Sequence, residues 1–133
     1  MRAAMRDLQF SGGHQWVGGR FLEHARLHTI PPANLQVVSF CHLPDCFNDY
    51  EYAGLAATIR KRDQTLKKFH VDHMPVLLSW PADALLERTG EHQGTMSQQP
   101  STGLSVGFIR IELSTPTEDA AALAHLKKLE AKR

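Results

Sequence analysis

The sequence is poor in cysteine, poor in tyrosine and tryptophan, and almost free of net charge, and each scarcity excludes a class of protein. Two cysteines, Cys41 and Cys46, are too few for a disulfide-framed scaffold. A chain of 133 residues with 42% hydrophobic and 22% charged residues can bury a core without one, so reduced thiols are the expected state. Fifteen Lys and Arg stand against fourteen Asp and Glu, a formal charge of +1, so no global field draws the molecule to nucleic acid or to an anionic membrane. No apolar run approaches the roughly 18 residues of a membrane span. Residues 1–10 also lack the uninterrupted apolar core of a signal peptide. The expectation is one α/β domain over residues 1–133, cytoplasmic and without a membrane partner.

What the chain has in excess is histidine, eight residues at positions 14, 24, 28, 42, 70, 73, 92 and 125 against two tyrosines and two tryptophans. Histidine titrates near neutrality and is the commonest metal ligand, which directs attention to the places where imidazoles cluster.

Hydrophobic spacing outlines the elements. Residues 1–10 read equally as a strand ending in Leu8-Gln9-Phe10 or as a short helix. The paired glycines of SGGHQWVGGR mark a loop. Residues 20–28 read as a helix that Pro31-Pro32 stops. The apolar, β-branched run 35–41 is a strand. Tyr52, Leu55, Ala56, Ile59, Leu66 and Phe69 recur at helical spacing over 50–68. Residues 75–80 form a second buried strand, 81–88 a short helix or a turn and edge strand, 91–103 a loop, and 104–113 a third strand. Thr115-Pro116-Thr117-Glu118 is a capping box with proline at N1, and the helix it opens, 116–131, is expected to pack on the sheet through Leu123, Leu126 and Leu129.

Several segments invite a chemical reading. Gly13 and Gly18 have the spacing of a phosphate-binding loop, but Gly19 and Arg20 stand where such a loop needs lysine and a hydroxyl. His24 and His28 share a helix face, as zinc ligands do, without an evident third ligand. FCHLPDCF leaves a strand end and leads into a helix, a setting that suits a thiolate. Its Cys41-x₄-Cys46 spacing differs from the redox pair Cys-x-x-Cys. The densest cluster is FHVDHMP, with His70, Asp72 and His73 in four positions followed by Met74-Pro75. Its structural reading is the polar rim of a strand, with His70 ending the preceding helix. The basic residues 60–68 read as a solvated helix face, since no aromatic is interleaved there to stack bases, and nucleic acid is not an expected partner.

VDHMP resembles the Asp-His-x-x-Pro opening of HNH-type nucleases, with the proline one position early and no asparagine downstream. That resemblance implies a metal-dependent hydrolase or nuclease in which Asp72 orients His73 as the base. FHVDHMPVLLSWPADALLERTG, about 22 residues, resembles the thioredoxin-like pattern of an apolar strand led by a proline and a second strand running to glycine. It lacks that family's Cys-x-x-Cys. This second resemblance implies a cis peptide before Pro75, a strand over 76–80, a hairpin ending at Gly90, and a proline-led strand antiparallel to the first.

Topology then decides the chemistry. Were strands 35–41 and 75–80 parallel, the histidines would lie about 20 Å from the cysteine loop. Were they antiparallel, Cys41, His42, Cys46, His70, Asp72 and His73 would converge. A thiol or soft-metal site would follow, with Cys46, Asp72 and His73 as reactive groups and Cys41, Cys46, His70 and His73 as ligands, the cofactor left open with zinc as one candidate. His42, Met74 and Pro75 would line it. The expectation is a mixed-sheet α/β domain with helices on its faces. Its leading role is that of a small binding or accessory domain for a protein or small molecule; the alternatives are the hydrolase and a purely structural interaction domain.

Overall fold

The run LQVVSFC folds as the strand it implies, and its near-continuous burial follows from its place inside a sheet covered on both faces. A computed structural model describes residues 1–19, 35–42, 59, 61–98, 103 and 105–131. Its strands are β1 (Ser11–Gly18), β2 (Leu35–His42), β3 (Val71–Leu77) and β4 (Ile109–Glu112), ordered β3-β2-β1-β4 in one sheet. β1 is antiparallel to both β2 and β4, whereas β2 and β3 are parallel, from Leu35 opposite Val71 to Cys41 opposite Leu77. With the helices Arg2–Asp7, Arg62–Phe69, Ala82–Met96 and Pro116–Glu130, the chain is a mixed-sheet α/β protein. One sheet face packs Val38, Phe40 and Val76 against Met96 of the third of these helices. The other packs Cys41 and Leu77 against Met5 of the first helix, with Phe10, Ile59 and Leu113.

Residues 11–18 are a strand inside the sheet, not a loop. The glycines are needed for positive φ, as their pairing suggests, but the reason is a β-bulge: Gly12 and Gly13 sit at φ +66° and +72°, and the register slips between Ser11 and His14. A Cβ on Gly13 would fall 1.9 Å from the Phe40 carbonyl oxygen, so the bulge also brings two backbones too close for any side chain. Beyond the bulge the strand alternates. Trp16 joins the Phe40 face and Val17 the opposite one, where it meets Val37 and Val71.

Other boundaries move as well. The N-terminal segment is the helix Arg2–Asp7. Of the helix expected over 50–68, the described residues are Ile59, which is helical, and those from 61 on, where the extended Lys61 stands at the N-cap position of a helix Arg62–Phe69 that His70 closes in a left-handed conformation. Strand β3 starts at Val71 rather than residue 75. It holds Pro75 within it, tolerated because β3 is an edge strand, and the Met74–Pro75 peptide is trans. No hairpin ends at Gly90, for helix Ala82–Met96 runs through Gly90 and Gly94 and absorbs the first part of the expected loop, residues 91–96. Each glycine costs about 1 kcal/mol there, offset where Leu85 and Met96 pack on the Val38–Phe40–Val76 cluster. The third strand shrinks to four residues. The helix expected over 20–28, with His24 and His28, lies outside the described residues.

The last helix keeps its expected bounds but not its expected packing. Pro116–Glu130 buries none of its residues. The Thr115 hydroxyl does not cap it, since Oγ1 donates to the Glu112 carbonyl (3.1 Å) and accepts from Arg2 (2.9 Å).

Candidate functional site

The parallel pairing of β2 and β3 separates the two halves of the expected site. His73 is level with Val37, and Cys41 with Leu77, four residues further along, roughly 13 Å at the rise of a strand. Cys41 is fully buried in the apolar cluster, and desolvation pushes its thiol up to about 12, the opposite of a poised thiolate. His42 is exposed at the end of β2, and His70 is exposed at the helix end. Met74 and Pro75 are half-buried in β3, and Cys46 lies outside the described residues. Among the described residues no group of three or more His, Cys, Asp or Glu is placed to hold a metal ion.

Asp72 and His73 do not meet either, because neighbouring residues of a strand project to opposite faces. The buried Asp72 carboxylate takes a two-pronged ion pair from Arg62, Nε at 2.5 Å and Nη2 at 2.7 Å. His73 turns the other way, into the core.

There it joins a polar chain that crosses three strands. Gln15 of β1 lies directly opposite Ser39 of β2, and its Nε2 donates to Ser39 Oγ at 2.7 Å. Ser39 Oγ lies 2.7 Å from His73 Nε2, and His73 Nδ1 lies 2.8 Å from the carbonyl oxygen of Ile59. At the other end Gln15 Oε1 accepts from Arg2 Nη1 at 2.7 Å. Gln15, Ser39 and His73 are 1%, 0% and 1% exposed, so every polar atom here must find its partner inside the protein.

The directions of these bonds follow from chemistry. A carbonyl only accepts, so Nδ1 bears the proton and the neutral ring presents Nε2 as an acceptor. Ser39 therefore donates to His73 and accepts from Gln15, whose oxygen accepts from the arginine. One consistent sequence of donors runs from Arg2 to the Ile59 backbone. Desolvation lowers the affinity of His73 for a second proton, which outweighs the opposing effect of the Ile59 carbonyl. A hydroxyl bonded to an imidazole has the form of a nucleophile and its base. Here both are sealed from water, and the pair satisfies buried groups instead of presenting a reactive one.

Arg2 ties this interior to the C-terminal helix. Its Nε donates to Asp119 Oδ1 (2.8 Å), and its Nη2 to the Glu112 carbonyl (2.7 Å) and to Thr115 Oγ1. Arg6 pairs with the other Asp119 oxygen. The helix is thus gripped at its first turn. Leu123 and Leu126, one and two turns beyond Asp119 on the same side, and Leu129 are 54%, 56% and 48% exposed.

Arg2, Gln15 and Ser39 are missing from the sequence-based site. Ser39 carried a readable signal, a hydroxyl inside an otherwise apolar buried strand, which requires a partner. Gln15 would have shown the same had residues 11–18 been read as a strand. Comparisons of the chain with protein-family models, with curated proteins and with solved structures find no match.

Proposed function

We propose that this chain is a binding or accessory domain that engages a protein partner through its C-terminal helix, and that the Asp72-His73 segment serves the fold. One observation supports this reading above the others. Helix Pro116–Glu130 is fixed by ion pairs at its first turn yet leaves three leucines about half exposed along one side. Exposed apolar side chains gathered on one rigid element mark interaction sites more often than scattered ones do. The buried state of Ser39 and His73 supports the same reading from the other direction, since a catalytic pair needs access to substrate.

The test is a photo-crosslinking residue placed at position 126 of the full chain in cells, with position 121, on the opposite side of the helix, as control. A discrete adduct from position 126 and none from 121 is expected. Absence of an adduct at 126, in a chain whose circular dichroism is unchanged, would overturn the reading.

A further inference from the structure

We infer that the buried Ser39 hydroxyl is a two-position switch, donating to His73 when that ring is neutral and turning to the Met5 thioether when the ring takes up a second proton. The folded chain can then admit a proton to its core with every polar group still paired. The property is independent of the binding role of the last helix.

The two positions are both within reach. Ser39 Oγ lies 2.7 Å from His73 Nε2 and 3.8 Å from Sδ of Met5, a fully buried residue of the first helix. The same sulfur lies 3.6 Å from Gln15 Nε2, so the one heteroatom of this side chain is turned to the polar chain. A thioether accepts hydrogen bonds weakly, and while the ring is neutral its Nε2 is the better and nearer acceptor.

A second proton on the ring reverses that bond. Nδ1–H is already held by the Ile59 carbonyl, so the proton goes to Nε2, which now donates to Ser39 Oγ. The serine oxygen also accepts from Gln15 Nε2, and its own proton needs a new acceptor. Turning the Gln15 amide over would offer Oε1, but it would set the amide NH₂ against Arg2 Nη1, donor against donor, where Oε1 now accepts at 2.7 Å. The Met5 sulfur carries no such penalty. A buried donor without any acceptor is costly enough that even a weak one decides the outcome.

The charges around His73 are divided. The Met1 amine opposes a second proton on the ring and the Asp72 carboxylate favours it. Arg6 and Lys68 stand near the Met1 amine with Asp119 opposing them, Arg62 is engaged by Asp72, and Arg2 reaches the ring only through Gln15 and Ser39. Burial places the transition below the 6.5 of free imidazole, so the switch works in mild acid.

The experiment is nuclear magnetic resonance of the full chain from about pH 7.5 down to about pH 4, reading the His73 ring nitrogens while circular dichroism reports the fold. The ring is expected to pass from the Nδ1–H tautomer to the doubly protonated form with the fold retained. Met5→Leu, close in volume, should lower the midpoint by about one pH unit, a tenfold weaker proton affinity, and should have no such effect in a Ser39→Ala background. An equal shift in both backgrounds would overturn the inference, since the sulfur would then act through packing alone. So would no shift at all, or a ring that stays neutral wherever the chain is folded. The unsubstituted chain gives a second readout should Ser39→Ala fail to fold: the Ser39 hydroxyl proton should show its nuclear Overhauser contact to the Met5 methyl only once the ring is protonated. A hydroxyl contact indifferent to pH would overturn the inference. So would faster hydrogen exchange in the 116–130 helix on protonation of the ring, the sign that the Gln15 amide had turned and released Arg2.

Discussion

The sheet interior and the C-terminal helix solve opposite problems with the same arginine. Inside, Gln15, Ser39 and His73 have every strong hydrogen-bonding group directed to a partner, and the sequence of donors begins at Arg2. Outside, Pro116–Glu130 has almost no packing of its own and is held through Asp119, to which Arg2 and Arg6 both reach. The contrast teaches that burial and order are separable in this molecule. The interior is ordered because its polar atoms have no water to turn to. The helix is positioned by a local electrostatic grip and keeps its apolar side available.

The strongest way to break the comparison is to remove a link of the interior chain. His73→Ala opens a cavity and strips partners from Ser39 and the Ile59 carbonyl, and is expected to cost about 3–5 kcal/mol, measured by urea unfolding. Removing the shared residue comes next. Arg2→Ala leaves Gln15 Oε1 without its donor and releases one of the two arginines on Asp119, an expected loss of about 2–3 kcal/mol. Its distinguishing sign is faster hydrogen exchange in the 116–130 helix than in β2, because the helix depends on that grip and the central strand does not.

A change of pH sharpens the contrast further. Burial holds His73 below the ordinary 6.5 of imidazole, so the unfolded chain takes up a proton at higher pH than the folded one. The stability it contributes is whole above about pH 6.5 and falls as pH drops below that value. His14 and His92 are also lowered by desolvation and act in the same sense. Unfolding should therefore be followed from pH 7.5 to 5 in a His14→Gln/His92→Gln background, where a slope that survives and vanishes with His73→Phe belongs to His73. The smallest effect is expected at the helix. Leu126→Asp should leave stability within about 0.5 kcal/mol, as substitution of an exposed side chain does, and a larger loss would mean that the stripe is packed against its own domain.

Much of the architecture was legible residue by residue. The β-branched run at 35–41 could only be a buried strand, and Thr115-Pro116 placed the start of the last helix within a residue. The bulged strand 11–18 was obscured because its glycines signal positive φ without saying whether a turn or a bulge uses it. Helix Ala82–Met96 was obscured by Gly90 and Gly94, whose cost is met by Leu85 and Met96 packing on strands that are distant in sequence. The site was harder still. His73 stood out, but Ser39, which it bonds, and Gln15, which bonds Ser39, lie 34 and 58 residues away from it in the chain, so nothing along the chain joins the three.

The sequence alone determined the quantities that depend on neighbours along the chain: where apolar runs and helical stripes begin, which segments need glycine, and how charge is distributed along the last helix. Tertiary structure alone decided the direction of β3 relative to β2. With it came the separation of Cys41 from His73, the facing of Asp72 toward Arg62, and the choice of Arg2 as the residue joining core to surface. The physical reason is that a strand's alternation fixes which residues share a face but is the same read in either direction. The partner strand's orientation, and thus which distant side chains become neighbours, is set by the crossover between them.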